Sequence, residues 1–119
     1  MPRLYSQMLR YRRGDFYMRH HDYTTDVQNS SRSPRVLFGP RQLTFMLYLS
    51  DVDAGGSTRF FTKRTDDPAS RYVAGVDVRP RAGRALLWQN VLSGAPFELE
   101  PATEHEALRV SAGTKYVAT

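Results

Sequence analysis

The sequence predicts a mainly β protein, a sandwich or barrel of short strands, on three observations. Apolar and aromatic residues recur in short runs such as Leu43–Leu49 and Tyr72–Val78, with the length and residue types of strands. Glycine and proline punctuate those runs, at Gly55-Gly56, Pro80–Gly83 and Gly94–Pro96, where turns need them. No stretch carries the 3.6-residue apolar period of an amphipathic helix.

Taken in order, Tyr5–Arg12 reads as a lead-in strand, closed by a turn at Gly14-Asp15. Phe16–Tyr23 is the next strand. From Asp26 to Pro40 the composition shifts to Asn, Ser, Arg and Pro, a polar loop long enough to suggest a functional role. Leu43–Leu49 is nearly continuously apolar, which predicts a strand buried on both faces. Ser50–Gly56 is a turn, Ser57–Phe61 a short strand, and Thr62–Arg71 a charged surface loop. Tyr72–Val78 alternates as a strand, and Ala85–Trp88 reads as another buried one. Leu92–Pro101 is a loop. His105–Val110 and Lys115–Ala118 then flank the turn Ser111–Gly113 as a hairpin-like pair.

A chain of 119 residues holds one domain, residues 1–119, large enough to bury a core. No apolar run approaches the length that crosses a membrane, and Met1-Pro2-Arg3 begins no signal-peptide core. Cysteine is absent, so disulfides and thiolate metal sites are excluded and any metal must be held by nitrogen and oxygen. The formal charge of +5 is almost all arginine. Those arginines are scattered along the chain rather than gathered on one helix, so nucleic acid is not the expected partner. Lysine occurs only at Lys63 and Lys115, which makes the second worth placing.

The chemistry concentrates in Gly14–Tyr23, the run GDFYMRHHDY. Side chains two apart on a strand share a face, so His20 and Asp22 point together and His21 points away. Only one further histidine exists to complete a triangle, His105. Two histidines and one carboxylate on one side of a metal leave other positions open, the ligand set of non-haem Fe(II) oxygenases. Glu104 and Glu106 flank His105 and should face away from the metal.

An ordered set of motifs spans nearly the whole chain: Tyr11-x-x-Gly14-x-x-Tyr17-x-x-His20-x-Asp22, Arg41-x-x-Thr44 leading into Tyr48-Leu49, Gly55-Gly56-x-Thr58-x-Phe60, Pro80-x-x-Gly83, then His105 and Gly113-x-Lys115. This order resembles the prolyl 4-hydroxylase family of Fe(II)- and 2-oxoglutarate-dependent dioxygenases. The resemblance implies a double-stranded β-helix, or jelly roll, with Fe(II), 2-oxoglutarate and O2 as cofactor and co-substrates, and ascorbate as reductant. It implies His20, Asp22 and His105 as metal ligands and as the catalytic set. Lys115 is implied as the cation for the C5 carboxylate of 2-oxoglutarate, since a buried carboxylate without a partner would cost several kcal/mol. Tyr11 and Thr58 are implied to hydrogen-bond that carboxylate, and Gly55-Gly56 to allow a close backbone turn.

On the substrate side the resemblance implies Tyr17 and Arg41 near a bound proline-containing peptide or protein, under a lid formed by Asp26–Pro40, and Trp88 sits on a strand placed to line the same pocket. The family's leading helices are largely missing here, and the aromatic residue expected after the lysine would fall past Thr119. A catalytic core incomplete at both ends is therefore expected. Two rival functions stand beside prolyl hydroxylation. One is the same chemistry on another side chain, a small molecule or a nucleobase. The other is a catalytically silent, basic binding module.

Overall fold

The computed structural model describes residues 6–23, 40–63 and 72–119; most of the loops Asp26–Pro40 and Thr62–Arg71, and Tyr5, lie outside them. Within the described residues the chain alternates between two four-stranded antiparallel sheets. The first has the order β1 (Met8–Tyr11), β12 (Lys115–Ala118), β3 (Leu43–Tyr48), β7 (Ala85–Gln89). The second has the order β2 (Tyr17–His20), β10 (His105–Ala107), β5 (Thr58–Lys63), β6 (Tyr72–Val78). Two small pairs complete the set: β4 (Ala54–Gly55) with β11 (Val110–Ala112), and β8 (Val91–Leu92) with β9 (Ala95–Leu99). A 3-10 turn covers Pro101–Thr103.

The sheets pack face to face. Met46, Tyr48, Trp88 and Val117 from the first form the buried centre, and Phe60 and Val78 from the second pack against it. Tyr48 is fully buried. Its hydroxyl lies 2.7 Å from Thr58 Oγ1 across the sandwich and 3.1 Å from the Val78 carbonyl oxygen. A buried phenol needs such partners, and these two tie β3 to β5 and β6.

Four local expectations are corrected. Leu43–Leu49 is not buried on both faces: Thr44, Met46 and Tyr48 are buried, while Leu43 and Phe45 are 56% and 54% exposed. Ala85–Trp88 behaves likewise, with Trp88 buried and Leu87 67% exposed. An antiparallel sheet needs only one covered face, so apolar side chains on the other face say nothing about burial. The segment Leu92–Pro101 is not a plain loop, since β9 folds back on β8. Finally, β10 and β12 do not form a hairpin. β10 pairs with β2 and β5, and β12 pairs with β1 and β3, in opposite sheets. The intervening β11 pairs with β4, which lies in the predicted turn Ser50–Gly56.

Gly55 makes that last pairing possible. Its φ is +76°, and a Cβ there would run into the Arg109 carbonyl oxygen. Only glycine allows the two backbones this approach.

Candidate metal and co-substrate site

Strand order brings the ends of the sequence together. β10 lies beside β2 with His105 opposite His20, and their rings sit 4.3 Å apart between centroids. Asp22 lies two residues further on, past the end of β2. The ligand-capable atoms of His20, Asp22 and His105 all fall within 4.8 Å of one another.

Each of the three is pre-oriented. The Nδ1 of His20 lies 2.7 Å from the Met18 carbonyl and that of His105 lies 2.8 Å from the Thr103 carbonyl. A carbonyl can only accept, so both rings carry their proton on Nδ1 and present a lone pair on Nε2. Both Nε2 atoms face Asp22 Oδ1, at 3.5 and 3.8 Å. The other carboxylate oxygen, Oδ2, accepts the Thr44 hydroxyl at 2.7 Å and has the Arg41 guanidinium at 3.8 Å. Thr44 is held in turn by the Asn90 amide, which donates to it at 2.8 Å.

Electrostatics follow from this layout. Burial pushes the Asp22 carboxyl up, yet its contact with His20, the hydrogen bond from Thr44 and the nearby His105 and Arg41 outweigh it and bring the pKa down to about 2. Burial pulls His20 down, but its contact with Asp22 leaves it net raised. For His105 burial prevails and its pKa is lowered. An ionised acid beside a neutral imidazole is the protonation state that a divalent cation selects.

The second group lies on the facing sheet. Lys115 is 1% exposed, beside Tyr11 across the β1–β12 ladder. Its Nζ donates to the Gly56 carbonyl at 2.7 Å and stands 5.0 Å above the Tyr11 ring. Among the described residues no carboxylate pairs with it, and burial alone lowers its pKa to about 8. Burial also raises the Tyr11 phenol, with Tyr17 adding to the shift.

All nine residues singled out from the sequence line one cavity of about 310 Å³. Tyr17 and Arg41 are at its partly exposed rim, with Tyr17 tilted against His20 at 4.2 Å. Trp88 is buried, edge-on to His105 at 4.9 Å and to Phe60 at 5.3 Å. Glu104 and Glu106 pair with Arg19 and Arg59. The sequence reading missed Asn90, which no motif marks. It also passed over Gln7 and Thr119, which line the same cavity and which alternation from Tyr11 and Lys115 places on the inward face.

The family model described as the 2OG-Fe(II) oxygenase superfamily matches residues 6–119. The chain belongs to this superfamily. Among curated relatives, it is similar to Prolyl 4-hydroxylase 1 of Arabidopsis thaliana, 34% identical over 116 residues, and to Prolyl 4-hydroxylase 2 of the same plant, 36% identical over 126. Each match covers 95% of this chain but only 38% and 39% of the relative. The chain therefore spans about two fifths of the length of those proteins.

Two solved structures of the viral collagen prolyl hydroxylase from Paramecium Bursaria Chlorella virus-1 superpose on it. The 2OG complex does so with TM-score 0.63 and 24% identity, covering 95% of this chain and 54% of that one. A truncated form gives 0.64 and 25%, covering 95% and 51%. The predicted jelly roll is thereby borne out.

The superfamily implies Fe(II) and 2-oxoglutarate, and the residues present fit both. The triangle offers two imidazole nitrogens and one carboxylate oxygen with other directions open, a set suited to non-haem iron. Lys115 is a buried cation with no anion of its own, and the Trp88 N–H is buried without a partner in the same wall. A dicarboxylate would satisfy the first of these needs directly.

Proposed function

We propose that residues 1–119 form a single catalytic domain that hydroxylates prolyl residues of a peptide or protein, using Fe(II), 2-oxoglutarate and O2, with ascorbate as reductant. One observation carries the reading: the His20–Asp22–His105 triangle and the anion-free Lys115 share a cavity. The prolyl substrate is favoured because the curated relatives noted above are named prolyl 4-hydroxylases.

In this reading Nε2 of His20 and His105 and Oδ1 of Asp22 hold the iron, and Lys115 holds the C5 carboxylate of 2-oxoglutarate. When bound, the two together would activate O2, one oxygen atom going to the hydroxylated carbon and the other to succinate, with release of carbon dioxide. The chain's own residues supply geometry. Thr58, whose hydroxyl lies 2.7 Å from that of Tyr48, would hydrogen-bond that carboxylate alongside Tyr11. Trp88 and Phe60 pack against His105, keep water from that side and hold the ring in place. At the rim, Tyr17 and Arg41 would orient the peptide, with Trp88 as the inner wall.

The test is succinate formation from 2-oxoglutarate with a proline-rich peptide and Fe(II), against non-prolyl peptides and small molecules. Asp22→Ala and His105→Ala should abolish turnover. Lys115→Met should weaken 2-oxoglutarate binding by about 100-fold or more, the scale of losing one partner of a buried ion pair. Metal-loaded protein that binds no 2-oxoglutarate overturns the reading; turnover only on non-prolyl compounds overturns the substrate.

A further inference from the structure

Between the two proposed ligands near the end of β2 stands a histidine that the triangle does not use. The ring of His21 meets the 3-10 turn at Pro101–Thr103 instead. Its Nδ1 accepts the backbone N–H of Tyr23 at 2.9 Å. Its Nε2 lies 2.7 Å from the Glu100 carbonyl oxygen and 3.0 Å from Thr103 Oγ1. A ring nitrogen that accepts an N–H carries no proton, so the proton of the neutral ring sits on Nε2, where the Glu100 carbonyl takes it. The Thr103 hydroxyl donates to that same carbonyl at 3.0 Å. Both nitrogens are thus engaged within the protein, and His21 is not a fourth ligand.

These bonds hold the one member of the triangle that lies outside the strand ladder. The ladder between β2 and β10 anchors His20 and His105 directly, but Asp22 lies beyond its last pair. The bond from Tyr23 to His21 closes a loop of chain around Asp22. The Nε2 bond ties that loop to the turn whose Thr103 carbonyl orients the His105 ring. One imidazole therefore links the backbone around the carboxylate to the segment that aims the third ligand.

We propose that His21 is a positioning residue, which sets Asp22 at the distance from His20 and His105 that a divalent metal requires. The inference rests on the triangle being a metal site, and the test separates the two. Co(II) is titrated into wild type, Asp22→Ala, His21→Phe, His21→Asn and His21→Gln, reading affinity by calorimetry and geometry by the visible absorption of the bound ion. Imidazole nitrogen shifts in the metal-free wild type report the His21 proton.

Wild type should bind one Co(II), and Asp22→Ala should not. His21→Phe should bind roughly 10–100-fold more weakly, the usual cost of removing a group that orients a ligand, with an altered absorption band. His21→Asn keeps an acceptor for Tyr23, and His21→Gln keeps a donor for Glu100, so each should recover part of the loss. The metal-free spectrum should show the proton on Nε2. Wild-type affinity and band shape in His21→Phe, or in both amide variants where that protein fails to fold, overturn the proposal, as does a proton on Nδ1. A role limited to stability would lower the metal-free thermal midpoint and leave the Co(II) band unchanged, which also overturns it. Wild type that binds no Co(II) overturns the metal-site reading, and this inference with it.

Discussion

Asp22 can accept from four directions, and its neighbours use them unequally. Thr44 and Arg41 occupy the Oδ2 side, leaving Oδ1 toward the two imidazoles. Thr44→Val removes the donor to Oδ2 and leaves the buried Asn90 amide without its acceptor; metal affinity should fall roughly 10–100-fold in a folded protein, measured by Mn(II) titration. Lys115 yields a pH prediction. Its pKa is about 8 in the ligand-free fold against 10.5 for an ordinary lysine, so between those values the unfolded chain binds the extra proton. Stability therefore rises with pH above 8 and is lost as pH falls back through 8, an effect on the order of 3 kcal/mol when complete. Tyr11 and Tyr48, whose pKa values are raised, oppose it above about pH 10. Denaturant titrations at pH 7 to 10 should show the rise in wild type, none in Lys115→Met, and a diminished rise with 2-oxoglutarate bound.

Among the elements, the pairing of β4 with β11 is the most exposed to a single change. Gly55→Ala would place a methyl group against the Arg109 carbonyl at positive φ. The expected loss is about 2–4 kcal/mol, from left-handed strain plus overpacking, read as a lower denaturant midpoint. Strand positions were legible in the sequence because alternation and glycine turns are local signals. Burial was less legible: Phe45 and Leu87 pair across β3 and β7 on the outer face, where residue type alone suggested the core. The strand β9 and the 3-10 turn were missed because Pro96 and Pro101 read as loop. Pro101 in fact opens the 3-10 turn, where its missing N–H costs nothing, and the Glu100 side chain caps it through Ala102 N–H.

Across the whole molecule, the site spans both sheets. The triangle belongs to β2 and β10 and the loop after β2, while Lys115 and Tyr11 belong to β12 and β1. Ligands that bridge these groups bind the folded chain alone, so they must stabilise it. Mn(II) and 2-oxoglutarate, each at a hundred times its Kd, should each add about 2.7 kcal/mol. Together they should raise the thermal midpoint by roughly 10 °C or more, and a chelator should reverse the gain. A midpoint indifferent to both would mean that the cavity holds neither.

The sequence by itself determined the strand-rich class, the exclusion of thiolate chemistry and the identity of the scarce residues (three histidines, two lysines) from which a site could be built. Those are matters of composition, alternation and spacing, which a linear chain carries openly. It could not decide which sheet each strand joins. That choice depends on backbone hydrogen bonds between segments far apart in the chain, and it placed His105 beside His20 while sending Lys115 to the opposite wall. Nor could it assign His21, Thr44 and Asn90 their tasks, because a hydrogen bond depends on distance and direction between side chains, and only the packed sandwich supplies those.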